Sequence, residues 1–188
     1  MFHYTAEQLN KKQQYKFVSG SVIPRPIAWV TTLSKDGSVV NAAPFSFFSA
    51  ASNELPLLTV AILRKDGVIK DTARNILDRK EAVVHIVDQS VVEDMNQTSA
   101  PLSPDESELD HTSLTLIDSL SVQVPSIVEA KMRFEGVLHQ YVPIKDEHGN
   151  IVTDFFFIRV TDFFFDETVF DQEKEYILTD KLNPVARL

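Results

Sequence analysis

The sequence predicts a mainly β protein, and three observations carry that expectation. About seven short runs rich in Val, Ile, Thr and aromatic residues are bounded by turn-forming residues. Helical-period segments are few and do not alternate regularly with the strands, which disfavours an open doubly wound α/β sheet. Only five glycines are present and no G-x-G-x-x-G occurs, so no dinucleotide fingerprint is available. Strands of this number and spacing build a β-rich barrel.

Residues 5–17 are polar with scattered apolar positions and suit a short N-terminal helix. Residues 26–33 carry Ile, Val, Trp and Thr and form the first strand. Ser34-Lys35-Asp36-Gly37 is a turn in which Gly37 is free to take positive φ. Residues 38–43 return as the second strand. Leu57 to Leu63 is almost wholly apolar and is expected to be buried on both faces. From Lys70 the period changes: Asp71 or Thr72 caps a helix of about two to three turns, with Ile76 and Leu77 facing inward. Ala82 to Val87 is a strand, and Ser90 to Asn96 is a short helix that starts at a hydroxyl residue. Residues 97–112 are polar, contain two prolines and cross the surface as a loop or short helix. Ile127 to Val142 and Val152 to Val160 are long strands joined by a turn at Asp146 to Asn150.

Two phenylalanine triplets, Phe155 to Phe157 and Phe163 to Phe165, lie in this last part of the chain. Consecutive strand residues point to opposite faces, so each triplet places aromatic rings on both. One face fills a barrel; the other needs a covering element or a second subunit.

A length of 188 residues gives one domain, 1–188, with enough chain to bury a core. With 44% hydrophobic and 24% charged residues the composition is that of a globular protein. The absence of cysteine excludes disulfides, thiolate catalysis and Cys-ligated metal. A net charge of −9 argues against non-specific nucleic-acid binding. No run approaches the roughly 20 apolar residues of a membrane span, and the first residues lack a basic, then apolar, leader pattern. A cytoplasmic setting is therefore expected.

The histidines His3, His85, His111, His139 and His148 fall in no metal-binding spacing. His85, inside an apolar strand, is expected to be a hydrogen-bonded core residue. No G-x-S-x-G occurs. Asp105, Glu106 and Glu108 lie in a polar loop and are expected to form a solvated face. A better constellation joins hydroxyls to a cation. Lys70-Asp71-Thr72 brings a positive charge, a cap and a hydroxyl to a helix start, and Thr31, Thr32, Ser46 and Ser49 add hydroxyls on the hairpin. A phosphate monoester calls for such donors.

Three segments then stand in order: Pro24-Arg25-Pro26-Ile27-Ala28-Trp29-Val30-Thr31-Thr32, Asn41-Ala42-Ala43-Pro44-Phe45-Ser46-Phe47-Phe48, and Lys70-Asp71-Thr72-Ala73-Arg74-Asn75. Together they resemble the flavin reductase-like, FMN-binding split-barrel proteins, over roughly residues 15–130. The resemblance implies a six-stranded antiparallel split β-barrel with flanking helices, a homodimer, and FMN bound near the subunit interface. It implies that Thr31, Thr32, Ala43, Ser46, Phe47 and Ser49 line the flavin, with Asn41 among the cofactor-binding set. Lys70, Thr72 and Asn75 would hold its phosphate side.

Two departures stand out. A frequent Glu-Cys pair appears here as Glu135-Gly136. The chain also stops at Pro184-Val185-Ala186-Arg187-Leu188, where family members often run on, so part of a cofactor lid is expected to be missing or the chain to be naturally short. The function implied is an FMN-dependent oxidoreductase taking hydride from NADH or NADPH. The rival is a non-catalytic flavin-binding or interaction module on the same fold.

Overall fold

The computed structural model describes residues 1–188. Its main sheet has seven antiparallel strands: β1 (Ala28–Leu33), β2 (Val40–Phe45), β3 (Phe48–Ala50), β4 (Leu57–Leu63), β5 (Glu81–Ile86), β6 (Met132–Lys145) and β7 (Ile151–Phe165). Their order is β2-β1-β5-β6-β7-β4-β3. The two edge strands, β2 and β3, are consecutive in the chain and separated only by Ser46 and Phe47. One bent segment thus serves both edges of a curled sheet. This is why the count is seven where six is expected: the strand splits at Ser46-Phe47 into one part paired with β1 and one paired with β4.

The β1–β2 hairpin turns as expected at Gly37, whose φ is +81°. Asp36 ties the turn, accepting from the Ser34 hydroxyl at 2.7 Å and the Ser38 hydroxyl at 2.8 Å. Those bonds, the Ser34 hydroxyl first, hold its carboxyl down at about 2. The β6–β7 hairpin turns at Gly149 with φ +82°. The second long strand runs past its expected end to Phe165, whereas the first begins at Met132 rather than Ile127 and runs on to Lys145; Ile127 belongs to a separate short strand.

Side-chain alternation divides the interior. Inward from the sheet, Val30, Val60, Ile62, Phe156 and Ile158 pack with Ala73 and Ile76 of the helix Asp71–Arg79. On the other face, Ile27 and Trp29 pack with Val87, Met95 and Ile127 from the segment that crosses over the sheet. Phe156 is fully buried, while its neighbours Phe155 and Phe157 lie half-buried on the opposite face with rings 5.1 Å apart. The triplet is two-faced, as its alternation requires.

Three α-helices frame the site: α1 (Lys11–Ser21), α2 (Asp71–Arg79) and α3 (Val92–Gln97). Helix α1 is capped by Asn10, whose side chain accepts from the Gln13 N–H at 2.9 Å. Two capping expectations are corrected. Helix α2 starts after Lys70 with no side-chain cap, because Thr72 donates across to Asn41 and Asp71 pairs with Arg74. Ser90 does not cap α3; its hydroxyl and N–H are both held by Asp88.

Candidate functional site

Helix α2 comes to rest with its N-terminus against the β1–β2 hairpin, and a chain of buried side chains fixes it there. Asn75 Nδ2 donates to Thr32 Oγ1 at 3.1 Å, and Thr32 donates to Asn41 Oδ1 at 3.3 Å. Thr72 donates to the same oxygen at 2.7 Å. Asn41 Nδ2 turns the other way and donates to both oxygens of Glu108, at 2.7 and 2.8 Å. The Ala42 N–H adds a third hydrogen bond to Glu108 at 3.1 Å. Asn41 is therefore the hub joining hairpin, helix and the segment around residue 108.

That placement corrects the expectation for Glu108. It is not part of a solvated face but is 7% exposed, at the start of a 3-10 turn, Glu108–His111. Burial pushes its carboxyl up, and its own N–H, the Ala42 N–H and the Asn41 amide oppose the shift. No cation lies within salt-bridge distance. Asp105 and Glu106 are exposed, as expected.

Beside this network opens a cleft of about 460 Å³, within the range of small-molecule sites. Ala43, Pro44 and Phe45 of β2 form one wall, with Val68 and Ile69 opposite. Its charged lining is mixed, with Lys65 and Lys70 beside Asp66, Asp71 and Glu108, and Asn41, Thr72 and residues 98–102 complete it. Lys70 Nζ stands 5.6 Å from the centre of the Phe45 ring. The first intrahelical bond of α2 runs from the Arg74 N–H to the Lys70 carbonyl, so the first-turn N–H groups have no capping side chain. Uncapped N–H groups, the helix dipole and a lysine make an anion site. The donor set thus fits a flat apolar ring that carries a phosphate.

The expected site residues fall into distinct places. Asn41, Ala43, Lys70 and Thr72 line this one cleft. Thr32 and Asn75 are buried outside its lining and connect to it through Asn41, Thr32 directly and Asn75 by way of Thr32. Ser46 lines a neighbouring cleft of about 350 Å³ that shares Pro44, Phe45 and Ser99 with the first. Phe47 lies under helix α1, with its ring 6.4 Å from that of Tyr15. Ser49 is exposed on β3 and donates to the Ala50 carbonyl. Thr31 does not join them: it points to the opposite face from Thr32 and donates to the Pro125 carbonyl at 2.8 Å.

Arg25, between the two prolines of the first motif, is a structural residue that sequence reasoning left unassigned. Its guanidinium donates to the Ser19 and Val22 carbonyls at the end of α1 and lies 5.9 Å from the Phe47 ring. It thereby seats α1 on the bend between β2 and β3. His85 behaves as expected of a core histidine. It is fully buried, with Nδ1 at 3.0 Å from the Trp29 carbonyl and Nε2 accepting the Ile127 N–H at 2.9 Å.

The profile of the flavin reductase like domain matches residues 19–181. The chain belongs to the flavin reductase-like family. The match runs well past residue 130 and takes in both long strands. The protein YwrF of Bacillus subtilis (strain 168) is 50% identical over all of this chain and 91% of its own length. Among solved structures, nitrilotriacetate monooxygenase component B from Bacillus cereus is 38% identical with a TM-score of 0.95, covering 100% of this chain and 92% of that one. The 2-nitrobenzoate 2-nitroreductase NbaA of Pseudomonas fluorescens is 30% identical with a TM-score of 0.88, covering 100% and 88%. The mainly β, curled antiparallel sheet is the split barrel of this family. A flavin is the cofactor class that the family implies.

Proposed function

We propose that this chain is an FMN-binding oxidoreductase, a flavin reductase that takes hydride from NADH or NADPH. The observation that carries this reading is the cleft beside α2, where an uncapped helix start and Lys70 face an apolar wall of Ala43, Pro44 and Phe45. FMN, when bound, supplies the two-electron chemistry, and the protein supplies binding and orientation. Lys70, Thr72 and the first turn of α2 hold the phosphate. Pro44, Phe45, Val68 and Ile69 enclose the ring and keep water from it. Ser46, from the adjoining cleft, extends the ring's contact, while Phe47 and Ser49 line neither cleft and support the bend instead. The Asn41 network holds these parts in register, with Thr32 and Asn75 supporting rather than touching the ligand. The two solved relatives, a monooxygenase component and a nitroreductase, favour an oxidoreductase over a passive binding module.

Two copies associate in this reading. Helix α1 buries none of its residues, and Phe2, Tyr4, Tyr15, Phe17, Val18 and Val22 are exposed around it. A second copy would cover this apolar surface, which adjoins Phe47 and the bend. Light scattering at micromolar concentration should return twice the chain mass. No helix is long and apolar enough to cross a membrane, and a nicotinamide donor suits the cytoplasm. Anaerobic mixing of the FMN-loaded protein with each nicotinamide should bleach the flavin absorbance. Bound flavin that neither NADH nor NADPH reduces would leave the passive module as the better reading.

A further inference from the structure

The cleft of about 350 Å³ that adjoins the first differs from it in charge. Acids and cations are mixed around the first cleft. No Asp or Glu side chain lines the second, in a chain of net charge −9. Its lining is mainly apolar, with Ile27, Val92, Met95 and Val185 beside the shared Pro44 and Phe45. Its one cation is Arg187.

Backbone pairing fixes that cation in place. Ala186–Arg187 runs antiparallel to Arg25–Pro26, with Arg187 opposite Arg25. One residue earlier, the Val185 N–H donates to the Val87 carbonyl at 2.8 Å. The two facing arginines have different partners. Arg25 commits its guanidinium to the Ser19 and Val22 carbonyls. Arg187 is exposed and enters no salt bridge.

Charge and shape together narrow the ligand. A cationic molecule would meet no counter-charge here. A dinucleotide carries two phosphates and calls for more than one cation. A wholly apolar molecule would gain nothing from the guanidinium. A flat ring with one carboxylate uses both features: apolar walls cover the ring, and the guanidinium fork donates two parallel bonds to the acid. The volume is at the lower end of the range for small-molecule sites, roughly 300–1,000 Å³, which suits a single ring.

We propose that this second cleft binds a small aromatic carboxylate, with its ring against Ile27, Met95 and Val185 and its acid group on Arg187. Asn96 and Ser99 line the same cleft and supply neutral donors. The site stands on its own lining; only its place beside a flavin ring, at Ser46, rests on the function proposed above.

The test is a titration read by NMR of the methionine methyl groups. The chain has three methionines, and only Met95 lines this cleft. Benzoate, benzamide and acetate are added in turn to the flavin-free protein. Benzoate should shift the Met95 signal saturably and leave those of Met1 and Met132 in place. It should bind at least about tenfold more tightly than benzamide, which lacks the charge, or acetate, which lacks the ring. Arg187→Gln should cost benzoate about tenfold in affinity and leave benzamide unchanged. Lys181→Gln removes an exposed cation outside the cleft and should change neither. Equal affinity for benzoate and benzamide, a Met95 signal that does not move, or equal losses in the two variants would overturn the proposal. With FMN added, benzoate should bind as before; competition between them would make this cleft part of the flavin's own site and would also overturn it. FMN binding without benzoate binding removes only this inference. Benzoate binding without FMN binding removes only the flavin reading.

Discussion

Moving from pH 7 to pH 5 should remove about 2 kcal/mol of folding stability through His85 alone. The side chain is fully buried between β1 and the segment at Ile127. Its Nε2 accepts an N–H, and its Nδ1 lies against a carbonyl, so the ring fits as the neutral tautomer with hydrogen on Nδ1. A second proton would have to sit on Nε2, facing the Ile127 N–H. Burial is the main cause that lowers the histidine from 6.5 to about 4, with the nearby Arg133 charge acting in the same direction. The folded value is depressed, so the unfolded chain binds more protons. The contribution is complete above about 6.5 and is lost as pH falls toward about 4. At pH 5 the unfolded histidine is almost fully charged and the folded one almost fully neutral, which gives the figure above; below pH 4 the loss reaches about 3 kcal/mol. Urea unfolding at several pH values, on wild type and His85→Gln, isolates this group, since other titrations are common to both. The wild type should lose about 2 kcal/mol more than the variant between pH 7 and pH 5. Parallel pH profiles would refute the reasoning.

Gly136→Ala should destabilise by about 1–3 kcal/mol through overpacking, because a Cβ there would sit 2.6 Å from Ile158 Cγ2 and 2.9 Å from the Arg159 carbonyl oxygen. A change below half a kcal/mol in denaturant unfolding, at about 0.5, would contradict the close approach of β6 and β7. Asn41→Ala strips Glu108 of two donor contacts and leaves Thr72 and Thr32 without their acceptor. A loss of about 2–3 kcal/mol in the same assay is expected, and a neutral result would argue that the network does not form. Lys70→Ala should weaken FMN by about 1–3 kcal/mol and leave riboflavin unaffected. An equal loss for both ligands, measured by fluorescence titration, would move Lys70 away from the phosphate.

Much of this fold is written in period and turn chemistry. Gly37 and Gly149 mark hairpins because only a positive φ closes those turns. Phe155 to Phe157 had to be two-faced, and an apolar strand around His85 made a satisfied core histidine the natural outcome. Other features depend on contacts distant in sequence. Glu108 sits in a polar, Pro-containing stretch that reads as solvated, and only its meeting with Asn41, 67 residues away, buries it. The splitting of one strand at Ser46-Phe47 follows from how the sheet curls, which no local pattern encodes. Thr31 and Thr32 illustrate a different failure. Alternation alone sends adjacent strand residues to opposite faces, yet a shared motif groups them together. Arg25 was similarly hidden, because its partners are helix carbonyls rather than side chains.

Binding of a flavin through its phosphate in the cleft beside α2 is tested most directly by calorimetric titration of the wild-type protein with FMN and with riboflavin. FMN should bind with one site per chain and an affinity about tenfold or more above that of riboflavin, from the charge-assisted contacts of Lys70 and the α2 start. Equal affinity for the two ligands, or no binding of FMN at all, would contradict it.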